Sequence, residues 1–176
     1  KRTGDKDVVD FGFEIARWMI DTYSWREDRA PFQDYIGGYY KLPKELPAMQ
    51  AFCYAEGTAA AYAMAARLDH PEREYLEVAT RESVRFGMVM QYNRLNTYAF
   101  TRPTEMIGGT RYAMNETKVR IDYVYHAQSA MVQWLQAAKN DSKLPEHVKG
   151  GEPFPWQLNK VNPVPDFLNI AENTMD

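Results

Sequence analysis

The sequence predicts an all-α fold of repeated helical hairpins, followed by an extended proline-rich tail. Three observations lead there. Apolar residues recur at helical spacing over four long segments. An Ile-Gly-Gly turn followed by a helix of small residues occurs twice. Beyond Asn140 the chain is crowded with proline and glycine and loses its periodicity.

The first helix is expected over 8–23, with Asp7 as N-cap and Asp10 completing a weak capping box. Val8, Phe11, Ile15, Trp18, Met19 and Thr22 share one face, which the periodicity assigns to the core. The second helix is expected over 48–68. It carries nine alanines, and between Ala48 and Ala66 its one charge is Glu56, so it reads as buried nearly all round. Asp69-His70-Pro71 ends it, because proline disfavours helical geometry in the residue before it. The third helix, 71–92, mixes charged and apolar residues and reads as an outer helix with a solvated face. Its Glu77 and Arg81 are spaced for an ion pair. The fourth helix, 118–139, aligns Asp122, His126, Ser129 and Gln133 on one side, with Tyr123, Ala127, Met131, Trp134 and Ala138 opposite. Residues 24–47 and 93–117 read as long loops, a feature often tied to function. The tail, 141–176, is expected to be a strap pinned by Phe154, Trp156 and Phe167.

Composition narrows the function classes. The chain has 176 residues, 45 % hydrophobic and 26 % charged, enough for one domain with a core of its own. Aromatic residues reach 14 %, which suits a thick core or a cavity wall that stacks on ligands. A net charge of −3 leaves no basic footprint for nucleic acid. Cys53 is the one cysteine, so no disulfide framework and no multi-cysteine zinc site is available within the chain. No apolar run is long enough for a transmembrane segment. The start, Lys1-Arg2-Thr3-Gly4, has neither an initiator Met nor a signal-peptide pattern. That is expected of a processed chain or a partial reading of a longer one.

The two loop–helix units, about 34–69 and 105–139, correspond. Gly37 precedes Tyr54 by 17 residues and Gly108 precedes Tyr125 by 17. Each unit joins a Gly-Gly turn and aromatic residues to a small-residue helix bearing one ionisable group, Glu56 in the first and His126 in the second. Those two are expected at equivalent positions. One helical hairpin cannot bury its own apolar face, so such units stack. In the order outer, inner, outer, inner they make an arc of an α/α toroid over 1–140. Two units are too few for a ring of six, so either another protein chain completes it as a partner or the arc stays open.

The segments Tyr54-Ala-Glu-Gly-Thr-Ala-Ala-Ala-Tyr62 and Gly108-Gly-Thr-Arg111 to Val119-Arg-Ile-Asp-Tyr-Val-Tyr-His-Ala-Gln-Ser-Ala130 resemble motifs of bacterial six-hairpin toroid proteins. That group includes relatives of N-acylglucosamine epimerases, glycoside hydrolases and polysaccharide lyases, with terpenoid-cyclase toroids as cousins. The resemblance covers about 8–138 and implies a carbohydrate-active lineage with a saccharide ligand. No catalytic set of a named enzyme maps onto these positions.

Glu56, Asp122 and His126 are the candidate catalytic residues. Glu56 lies among Phe52, Cys53, Ala59 and Ala60. Burial there raises a carboxyl pKa, as a general acid requires, although a structural carboxylate fits the same pattern. Asp122 and His126 sit four apart, where a carboxylate can orient an imidazole, and a solvated polar stripe has the same spacing. A metal site needs a further ligand, so no metal and no cofactor is expected. Tyr39, Tyr40, Arg111 and Tyr112, around the Gly-Gly turns, are the candidate saccharide-binding residues. Loop tyrosines also cap cores, and Arg111 and Arg120 also suit internal salt bridges to Asp122 or Glu56. Cys53 reads as inert packing. The alternative to an enzyme is a non-catalytic assembly subunit that docks on a larger complex.

Overall fold

The computed structural model describes residues 5–42, 45–48 and 50–145. Most of the strap expected over 141–176, with Phe154, Trp156 and Phe167, lies outside the described residues. The chain divides after Asp141 into two units, and the described part of the second is Ser142–Pro145. Helix makes up 59 % of the described residues.

Helix α1 spans Lys6–Tyr23, α2 Gln50–Leu68, α3 Arg73–Met90, a single turn α4 Pro103–Met106, and α5 Ile121–Asn140. The cap of α1 is Asp5, not Asp7: its carboxylate accepts the Asp7 amide at 3.0 Å. At the α2–α3 junction Asp69 takes φ +50° and the His70 amide returns to Ala65 O, so the break falls where proline predicts it.

Helix α5 starts three residues later than its periodicity implies. Strands β1 (Arg111–Ala113) and β2 (Glu116–Val119) pair antiparallel just before it. The outer strand is exposed throughout, so it shows no apolar alternation to read in the sequence.

Two turns tie the loops to the ends of α1 and α3 with the same bonds. At the first, Gly37 (φ +86°) donates to Trp25 O and Trp25 donates back to Gly38 O, both at 2.8 Å. At the second, Gly108 (φ +87°) donates to Tyr92 O and Tyr92 donates to Gly109 O, again at 2.8 Å. A side chain at Gly37 would sit 2.0 Å from Glu82 O, so only glycine fits against α3 there.

Helix directions follow from the contacts. Gly12 faces Met64 and Gly57 faces Met19, so α1 and α2 run antiparallel. Gly87, near the end of α3, meets Phe52 at the start of α2, and Arg73 at the start of α3 reaches Asp141 just past the end of α5, so α3 runs antiparallel to both. Helices α2 and α5 therefore lie side by side and parallel. Tyr39, Phe52, Phe86, Met90 and Ala127 form the core between them and α3.

Three faces differ from the sequence reading. The α1 stripe of Val8, Phe11, Ile15 and Trp18 is exposed (Phe11 60 %, Trp18 56 %), while Phe13, Ala16 and Ile20 enter the core. Helix α2 leaves Cys53, Gly57, Ala60 and Arg67 open, so it is not buried all round. Helix α3 is the more enclosed one and buries even Glu77. Its charges are tolerated because they are paired: Arg81 to Glu77 at 2.9 Å, Arg73 to Asp141 at 2.6 Å, and Arg85 to the Gln33 and Ile36 carbonyls.

Candidate functional site

The polar groups that come together lie on the open side of the α2–α5 seam. His126 Nδ1 is 2.6 Å from Glu56 Oε2. Gln133 Nε2 donates to Ser129 Oγ at 3.1 Å, one turn along α5 from His126. His126, Ser129 and Gln133 recur at helical spacing, so one face of α5 presents all three to α2. In the register of the Gly-Gly turns, Glu56 falls opposite Ala127 and His126 opposite Ala55, one residue out of step. One residue is about 100° of helix rotation, enough to swing the two side chains toward each other across the seam.

Glu56 is not deeply buried: its side chain is 22 % exposed and that of His126 29 %. Burial pushes the Glu56 carboxyl up, but its interactions with Ser129 and His126 outweigh it. The net is a pKa below the ordinary carboxylate range, the reverse of the raised value expected from an apolar setting. The ionised form of Glu56 is thus the favoured one beside the imidazole.

The other expected site residues lie elsewhere. Asp122 takes a bidentate bond from Arg120, at 3.1 and 2.9 Å. Tyr39 is fully buried, and burial pushes its hydroxyl up to about 12. Tyr40 is buried too and donates to Thr22 O at 2.7 Å. Both cap the core and line no mouth. Tyr112 packs its ring 5.3 Å from that of Tyr123. Arg111 donates to Val89 O at 2.8 Å and lays its guanidinium over the Tyr92 ring.

Cys53, expected to be inert packing, is exposed on the same side of α2 as Glu56. Partial burial and the Glu56 and Asp122 charges push its thiol up, so it is held as the thiol. One turn beyond the pair a groove of about 1010 Å³ opens, lined by Ala60, Ala63, Met64, Arg67, Gln133 and Gln136 among others. Sequence reasoning missed it. Its signal is the run of small residues on α2, which leaves room only where no neighbour covers it.

Among the described residues no group of three or more His, Cys, Asp or Glu is placed to hold a metal ion. No helix among them is long and apolar enough to cross a membrane. No family model, curated protein or solved structure matches the chain.

Proposed function

We propose that the chain is a two-hairpin arc of an α/α toroid of carbohydrate-active lineage, and that Glu56 and His126 form an acid/base pair on its inner face. The observation that carries this reading is the 2.6 Å contact joining the two parallel helices on their open side. The arc is supported by the shared bonding of the Gly37 and Gly108 turns and by the alternating directions of α1, α2, α3 and α5. An ionised carboxylate orients an imidazole and stabilises its charged form, which is how such pairs move protons. The saccharide class is supported by the resemblance of 54–62 and 108–130. A sugar in the groove would meet Ala60, Met64 and the Gln133 and Gln136 amides rather than the tyrosines the sequence suggested. The test is a panel of neutral, amino and acidic oligosaccharides assayed for turnover. His126→Gln and Glu56→Gln abolish turnover and leave the fold intact. Turnover that survives both substitutions rejects the pair.

A second reading, a non-catalytic assembly subunit, is favoured by a separate observation. Both edges of the arc expose apolar stripes: Val8, Phe11, Ile15 and Trp18 on α1, and Ile121, Tyr125, Val132 and Leu135 on α5. Stripes of this kind mark interaction surfaces. Completion of the ring by further hairpins would cover both. Sedimentation velocity over a concentration series tests it, because association sites of this kind give a concentration-dependent mass.

A further inference from the structure

We propose that a second copy of this chain docks its α1 stripe, Val8, Phe11, Ile15 and Trp18, onto the open edge formed by the Gly108 turn and α5. The joint runs head to tail and repeats the way α3 seats on the Gly37 turn and α2 within one chain. The inference deepens the assembly reading and rests on it. No saccharide chemistry enters it.

Trp25 and Tyr92 make the same pair of bonds to their Gly-Gly turns, so the two residues are equivalent. Helices α1 and α3 are each 18 residues long and end just before these anchors. Laid on each other without a gap, they put Val8, Phe11, Ile15 and Trp18 at the places of Tyr75, Val78, Glu82 and Arg85. Each of those four positions of α3 faces the first repeat. Tyr75 donates to the Asp21 carboxylate, with the Arg17 guanidinium 4.2 Å from its ring centre. Val78 borders a cleft together with Asp21 and Arg26. The Glu82 carbonyl presses on Gly37, and Arg85 donates to the Gln33 and Ile36 carbonyls at 2.9 and 2.6 Å. The α1 stripe therefore occupies the positions that the second repeat turns toward the repeat before it.

The receiving half of the joint is on the same chain and uncovered. Gly37 is closed over by α3, whereas nothing stands within 4 Å of the same place at Gly108. Ile107, the counterpart of Ile36, is 44 % exposed. Phe52 of α2 packs on Phe86 of α3 with ring centres 6.1 Å apart. On α5 the row Ile121, Tyr125, Val132 and Leu135 instead lies open, across the helix from the buried Tyr123 and Ala130. The two halves also change character together. Within the chain the joint is polar, with Tyr75, Glu82 and Arg85 set toward Asp21, Arg26 and backbone carbonyls. At the open edges Val8, Ile15 and Trp18 replace those three, Met88 replaces Asp21, and the uncharged Asn93 replaces Arg26 beside the exposed Leu95. One chain thus carries both the donating and the receiving edge of one apolar joint, and the occupant that matches both is another copy. The two patches differ, so the contact is heterologous: each copy uses α1 toward one neighbour and α5 toward the other.

The test mixes two full chains, each with one edge spoiled: Trp18→Glu on α1 and Leu135→Glu on α5. In sedimentation velocity the wild-type mass is expected to rise with concentration beyond that of two copies. Each substituted chain alone stays at one copy. Their equimolar mixture forms pairs, with twice the mass and no more, because the intact α1 of one chain meets the intact α5 of the other. Phe11→Glu and Ile107→Glu take their places if either chain does not fold. A substituted chain that still pairs with itself overturns the proposal, since that contact is like to like, and so does a mixture that stays at one copy. With an associating wild type, both of those results leave the assembly reading standing. A wild type that stays at one copy at every concentration defeats the proposal and that reading together.

Discussion

His126 and Glu56, 70 positions apart, meet at 2.6 Å across the seam of two parallel helices whose opposite faces build the core. The contact links α2 to α5 with both side chains part-exposed. Its acid dependence has a definite sign. Glu56 is held below its ordinary value, so its contribution to stability is present above the unfolded carboxylate pKa of about 4.3 and is lost as pH falls through the lower folded value. Thermal melts of the wild type and Glu56→Gln should differ most near neutrality and converge in acid. A difference that stays constant across that range contradicts the assignment.

Glu77 gives the opposite sign. Burial comes first among its causes and pushes its carboxyl up, outweighing the Arg81 ion pair. A group with a raised folded pKa stabilises the fold below its unfolded value and loses that contribution as pH rises. Glu77→Gln should therefore raise the melting temperature at neutral pH, and the gain should vanish in acid. A melting temperature lowered at neutral pH would show that the Arg81 bond outweighs desolvation.

The two positive-φ glycines are not equivalent. A methyl group at Gly37 would collide with the Glu82 carbonyl, whereas nothing stands within 4 Å at Gly108. Gly108→Ala should cost only the left-handed backbone strain, about 1–2 kcal/mol. Gly37→Ala adds a steric clash on α3 and should cost more than about 3 kcal/mol. Denaturant unfolding of the two variants measures the difference, and equal losses would contradict the close approach at Gly37.

The edge stripes give a prediction about association. Trp18→Glu on α1 or Leu135→Glu on α5 places a charge in an exposed apolar row and leaves the core intact. Each should abolish any concentration-dependent mass seen for the wild type without lowering the melting temperature by more than a degree or two. If neither substitution alters the association behaviour, the stripes are not its basis.

What the sequence could say depended on whether local signals were enough. The helices were legible because their periodicity and the Asp69-His70-Pro71 break are local. The buried face of α1 was not. Val8, Phe11, Ile15 and Trp18 form an apolar helical stripe, but a period says which residues share a face and not which face finds a neighbour. Helix α2 shows the same ambiguity: its small apolar residues imply enclosure, yet Cys53, Gly57 and Ala60 stay open. At the site, Glu56 and His126 were legible as ionisable groups on small-residue helices. Their contact was not, because it joins residues 70 positions apart and depends on how α2 and α5 are turned about their axes. Tyr39 and Tyr40 looked like a sugar platform because loop aromatics have no period. Their backbone joins the turn that Gly37 pins to Trp25, which draws the rings into the core.

The most direct test of the central claim is titration of the labelled chain with the oligosaccharide panel, followed at the His126 ring and the Gln133 amide. The account predicts that at least one saccharide shifts both signals together, that the shifts saturate, and that His126→Gln loses catalytic turnover of that same sugar. Shifts confined to the α1 and α5 stripes, or no shift at His126 with any saccharide at millimolar concentration, would contradict it.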